Sequence, residues 1–338
     1  MEIGWIHFSE KEKKAAYELA KKFDDDESND PLGLGAVIST FSNHFFPGIV
    51  SGQTHARYYM FGLYLLKMMK EDENFINGFG KFKEIERSII GKLLKNEEKT
   101  TGIIGSKKYN DNNNFSLDYW MTPTERHWTG IKTFFLKKDY SLKDNINEIE
   151  LPKNKDFNEE FETFKKALDK EKPLSIKCSQ KEKTFIINAI LGTGKEDNLL
   201  KKLINNCVNE KEPLPELFDD INNDYDSWLP AAKELSTIIN CMNEYMNAII
   251  NDTIDEDELN KKPLTIKNLK KLNNISSKDS DFITQFATKP KQREDLVRKR
   301  IEGKFFPNKN TNKAKNTAMN RSGEFRYGIV KNILKDLY

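Results

Sequence analysis

The segment Thr54–Lys70 constrains this chain more than any other. Tyr58, Phe61, Leu65 and Met69 recur at helical spacing, and Tyr59, Leu63 and Leu66 fill much of the remaining circumference. A helix that is apolar nearly all round has no face for water, so other elements must enclose it. Its most apolar run, Tyr58–Leu66, is about half the length of a membrane span and is bracketed by Arg57 and Lys67, so a protein interior has to supply the enclosure. A length of 338 residues with 37% hydrophobic side chains is enough to build that interior, as two modest domains or one large one.

The neighbouring patterns are also helical. Ser9 and Glu12 form a capping box ahead of a helix from Glu10 to Phe23, and further helices are expected at Leu34–Phe45, Phe82–Lys95 and Ser116–Met121. Another runs from Pro123 to Leu136, where Thr122 can cap and proline suits the first helical position. Glu159–Asp169, Leu199–Val208, Ala231–Ile250 and Leu264–Leu272 complete the central set, and the polar stretch Lys137–Asn158 between them lacks periodicity. Thr184–Leu191 is β-branched and apolar, and reads either as a strand or as a buried helix. The expected fold is mainly α, a multi-helical bundle with room for one short β element in the second half. The expected division is a helical domain over 1–137, a linker over 138–158 and a second helical domain over 159–338.

Charge is distributed unevenly. From Lys261 to Tyr338 there are 20 Lys and Arg against 7 Asp and Glu, a net +13, which leaves −11 for the first 260 residues. In the last quarter, Pro290 opens a helix with Val297 and Ile301 inside, ending near Gly303. Asn308–Asn320 is a Lys/Asn-rich loop, and Phe325, Ile329, Ile333 and Leu337 mark a closing amphipathic helix that docks on the body. Basic side chains next to such a loop can neutralise phosphates and release counterions. The candidate nucleic-acid contacts are Lys289, Lys291, Arg293, Arg298, Lys299, Arg300, Lys304, Lys309, Lys313, Lys315, Arg321 and Arg326. The competing reading is that this segment packs on its own acidic body.

Motifs for chemistry are weak. Gly192-Thr193-Gly194-Lys195 lacks the preceding glycine and the following hydroxyl of a phosphate loop, and reads as a turn. Asp220–Asp226 resembles the start of a calcium loop, but Tyr225 stands where glycine is needed and Ala231 where a bidentate glutamate is needed. Asp255–Glu258 fits the flank of a helix. The four histidines lack metal spacing, and the three cysteines form no pair that would suggest a disulfide framework or zinc knuckle. No catalytic residue, metal or cofactor is assigned. Arg57 opens an otherwise apolar helix and must be paired or reserved for a ligand: either an ion pair with a carboxylate or an anion site. A cysteine count of three and the lack of a signal sequence at Met1–Trp5 fit a cytoplasmic protein.

Several blocks spread along the chain carry a resemblance: Gly4-Trp5-Ile6-His7-Phe8-Ser9, Leu32-Gly33-Leu34-Gly35, Phe46-Pro47-Gly48, Gln53-Thr54-His55-Ala56-Arg57-Tyr58, Gly102-Ile103-Ile104-Gly105, Tyr119-Trp120 and Phe325-Arg326-Tyr327-Gly328. Together they resemble an uncharacterised bacterial family of unknown function. The resemblance implies a gene neighbourhood with helicase and phospholipase D-like genes, as in phage-defence islands, and supplies no catalytic residues. On this basis the expected role is a non-enzymatic accessory subunit of a defence or DNA-processing system, with a helicase- or nuclease-type partner, DNA or RNA contact, and no membrane. The alternatives are an enzyme such as a nuclease with a site dispersed in sequence, and a helical structural module without a nucleic-acid role.

Overall fold

The structure is a computed structural model. It describes residues 32–71, 79–97, 102–106, 121–136, 140, 148–169, 174–194, 198–271, 277–301 and 324–338. Among these residues there are twelve α-helices and no strand. They are α1 Gly35–Phe45, α2 Arg57–Glu71, α3 Phe79–Asn96, α4 Pro123–Phe135, α5 Lys155–Asp169, α6 Gln180–Leu191, α7 Leu199–Asn209, α8 Leu229–Asn251, α9 Glu256–Asn260, α10 Ser277–Thr288, α11 Arg293–Ile301 and α12 Tyr327–Leu337. None is long and apolar enough to cross a membrane. The expected helix Glu10–Phe23, most of Ser116–Met121 and the loop Asn308–Asn320 lie outside the described residues.

The chain forms two compact units, each discontinuous in sequence. One draws on Met1–Thr40 and Pro230–Gly323, the other on Phe41–Leu229 and Glu324–Tyr338. In the larger unit the apolar helix α2 is enclosed as its pattern demands, with Tyr58 through Leu66 all buried. Gly62 lets α4 come close, since a Cβ there would lie 2.5 Å from Ile131 Cδ1. Tyr64 stacks on Phe157 and packs against Phe161 and Phe164 of α5, so aromatic side chains fill one side of the core. In the smaller unit α10 and α11 are joined by a 3₁₀ turn at Pro290–Gln292.

One alternative left open by the sequence is decided and two expectations need correction. Thr184–Leu191 is not a strand but the body of α6, which begins at a capping box: Ser179 Oγ accepts from Glu182 N and the Glu182 carboxylate accepts from Ser179 N. Leu264–Leu272 is not a helix over its described part. Pro263 precedes it, and the Glu234 carboxylate draws the amides of Asn268 and Leu269 to 2.9 Å each, leaving only a 3₁₀ turn at Leu269–Lys271. Pro290 opens only the separate short 3₁₀ turn Pro290–Gln292, and the α-helix expected from Pro290 starts at Arg293. By contrast, Thr122 caps α4 in a full capping box with Pro123 at its first turn, as the sequence indicates.

Candidate functional site

The entry into α2 gathers residues from distant parts of the larger unit. Thr54 donates through its amide to His127 Nε2 at 3.3 Å and through its hydroxyl to Gly102 O at 2.8 Å. Ile104 N donates to Tyr58 Oη at 3.0 Å. Gly102 has φ +86° and faces the imidazole of His55 so closely that a Cβ would lie 2.5 Å from His55 Nε2, so both conformation and space require glycine. Asp336, in the last turn of α12, accepts from Ala56 N at 2.9 Å and lies 3.1 Å from His55 Nδ1. The first turn of α2 holds no acidic side chain, so Asp336 supplies the negative charge that its amides favour. Two of the blocks that carry the family resemblance, Gln53–Tyr58 and Gly102–Gly105, therefore meet in space.

Beneath this cluster lie two buried ionisable groups. His127 accepts the Thr54 amide through Nε2, and its Nδ1 lies 2.8 Å from Pro123 O, which assigns the proton to Nδ1. Burial lowers its pKa to about 3, so it is a neutral core histidine. Glu86 is enclosed and accepts from Thr124 N at 2.8 Å, and burial raises its carboxyl to about 7. Cys178 is buried and its thiol is pushed well up, first by desolvation and then by Glu182. Desolvation also raises Cys207 and Cys241. A nucleophilic cysteine needs the opposite shift.

Arg57 takes the ion-pair geometry. Its Nε lies 2.9 Å from Glu182 Oε2, its Nη1 donates to Ser175 O, and Tyr64 Oη donates to Glu182 Oε1 at 3.1 Å. Glu182 is fully buried, and burial, its largest influence, pushes its pKa up while Arg57 holds it down. A second, separate pair joins His44 to Asp226, with Nε2 3.0 Å from Oδ1 and the imidazole stacked on Trp228 at 4.1 Å. The acidic turn that mimics a calcium loop thus uses Asp226 to hold a histidine.

The basic residues divide into two groups. Arg293 is 1% exposed and donates to the carbonyls of Phe286, Leu259 and Lys262 at 3.0–3.1 Å, which makes it an internal staple of the smaller unit. Arg298 pairs with Glu294 one turn earlier on α11. Arg300 lies 3.5 Å from Asp279, donates to Leu32 O and rests over the Phe282 ring at 4.2 Å. In the larger unit, Arg326 donates to Asn43 Oδ1 at 2.9 Å and Ile49 O at 2.7 Å. Lys289, Lys291 and Lys299 are exposed. Lys304, Lys309, Lys313, Lys315 and Arg321 lie outside the described residues.

The sequence reading did not single out Asp336 or Glu182, and it placed Asp226 only in a solvated acidic turn. The three owe their roles to partners 281, 125 and 182 positions away, which no local pattern encodes. Among the described residues no group of three or more His, Cys, Asp or Glu side chains could hold a metal ion. No curated protein and no solved structure matches the chain. Residues 1–144, which include Gln53–Tyr58 and Gly102–Gly105, match the model of a family of unknown function, DUF6361.

Proposed function

We propose that the protein is a non-enzymatic accessory module of a bacterial defence or DNA-processing system, acting in the cytoplasm beside a helicase- or nuclease-type protein and contacting nucleic acid through the lysines around α11. One observation carries the reading. Within Lys289–Arg300 the guanidinium groups are engaged by carbonyls and carboxylates, whereas Lys289, Lys291 and Lys299 present their ammonium groups to water. Solvated ammonium groups can exchange counterions for phosphates, the main sequence-independent source of nucleic-acid affinity. The reading is further supported by the structural roles of Arg57, His127 and Cys178, the residues best suited to chemistry by type.

The test is fluorescence anisotropy of labelled DNA and RNA against the full chain over a salt series. Salt-sensitive binding is expected, weakened by Lys289→Glu, Lys291→Glu and Lys299→Glu together with no loss of thermal stability. Binding that is absent, or that ignores all three changes, would favour a helical module without a nucleic-acid role.

A second reading, an enzyme with a dispersed site, draws on His55 and Asp336, which are 23% and 20% exposed and lie at 3.1 Å. If it holds, a purified sample cleaves DNA or RNA and His55→Asn abolishes the cleavage without changing the anisotropy.

A further inference from the structure

The face of α10 that carries Lys278, Phe282 and Gln285 and the face of α11 that carries Leu296, Lys299 and Arg300 line one groove of the smaller unit, about 340 Å³ in volume. The spacing within each helix is i, i+4, i+7 and i, i+3, i+4, so both sets point the same way from their own axis. That volume lies at the small end of the ~300–1,000 Å³ of small-molecule sites, room for one nucleotide-sized group and not for a duplex. Its chemistry is mixed in a particular way. Leu296 and Phe282 form an apolar floor, and the Arg300 guanidinium lies on the Phe282 ring at 4.2 Å, held there by Asp279 and Leu32 O. The Arg300 side chain keeps 22% of its surface exposed. Lys278 and Lys299 are exposed, one on each helix, and neither has an ion-pair partner among the described residues. Asp281 is the one carboxylate among the lining side chains.

We propose that this groove is a binding site for an unpaired nucleotide of single-stranded nucleic acid. The base stacks on the outer face of the Arg300 guanidinium, which Phe282 backs, and the flanking phosphates lie between Lys278 and Lys299. A guanidinium held over an aromatic ring at 4.2 Å by an ion pair and a backbone carbonyl is a preorganised surface for a base, and stacking requires a base free of its partner strand. The cations set affinity and its salt dependence, while the stacking platform sets the preference for a single strand. The proposal rests on the nucleic-acid reading above and adds Lys278, the groove and the strand type to it.

The experiment titrates the full chain against a labelled oligothymidylate of about a dozen nucleotides, the same strand in duplex, and thymidine monophosphate as competitor. Tighter binding to the single strand than to the duplex is expected, with weak competition by the mononucleotide, which lacks the second phosphate. Lys278→Ala with Lys299→Ala should weaken single-strand binding roughly tenfold and lower the salt slope by about 0.7 per lysine, with an unchanged melting curve because both side chains are solvated. Arg300→Lys should keep the salt slope and lose the preference for the single strand. Mononucleotide binding as tight as the strand would reassign the groove to a free nucleotide and overturn the proposal. Strand binding that survives the Lys278/Lys299 change but falls with Lys289→Glu and Lys291→Glu would overturn the groove and leave the broader reading intact. No binding of any strand would overturn both.

Discussion

At the scale of residues, Arg57 shows what the enclosed helix requires. A guanidinium at the start of an apolar helix needs a partner, and the structure provides Glu182, which is fully buried, with Arg57 14% exposed. Removing one member of such a pair leaves an uncompensated charge in the core, at a typical cost of ~3–5 kcal/mol. Arg57→Met is therefore expected to lower the urea midpoint severely, and Arg57→Met with Glu182→Leu to recover a large part of the loss. An anion site would behave differently: the single change would leave the midpoint nearly intact and abolish binding of a phosphate ligand.

At the scale of elements, the helices whose start signals sit in consecutive residues were legible. Thr122, Pro123 and Glu125 announce α4, and the chain folds as announced. The same capping box stands at Ser179 and Glu182, but the β-branched run behind it argues for a strand, and the cap together with burial overrides that weak propensity. Ser179→Ala should cost roughly 1 kcal/mol through the lost acceptor for Glu182 N. A melting point identical to wild type would mean that the anchoring of Glu182 by Arg57 alone defines the start of α6. Leu264–Leu272 failed for a reason invisible locally, because the carboxylate that captures its amides sits on α8, 34 residues earlier. The candidate site was legible in part: the blocks Gln53–Tyr58 and Gly102–Gly105 are conspicuous as sequence, but their meeting point, and Asp336 that completes it, belong to tertiary structure. Likewise the basic quarter could be counted, yet counting cannot separate a buried staple such as Arg293 from an exposed Lys299.

At the scale of the molecule, Glu86 and His127 make opposing contributions to the pH dependence of stability. Glu86 has a folded pKa of about 7 against an ordinary 4.5, so between those values the folded state holds a proton that the unfolded state has lost, and stability falls as pH rises. His127 has a folded pKa of about 3 against 6.5, so between those values the unfolded state holds the extra proton, and stability rises with pH. From pH 4.5 to 6.5 the two slopes cancel. Below that window only the histidine acts, and stability drops as pH falls. The cancellation is removable. His127→Gln keeps a donor for Pro123 O and an acceptor for Thr54 N, and relative to wild type it should gain stability progressively below pH 6.5, unmasking a loss of ~3 kcal/mol from Glu86 as pH rises from 4.5 to 7. Glu86→Gln should do the reverse: relative to wild type it gains stability as pH rises through the same window, and the ~5 kcal/mol histidine contribution between pH 3 and 6.5 stands alone. Urea melts of the full chain at a series of pH values, taken as differences from wild type so that the other carboxylates drop out, measure both slopes. Parallel profiles for all three proteins would mean that the two groups are solvated, and that α2 and α4 do not seal the core as their packing indicates.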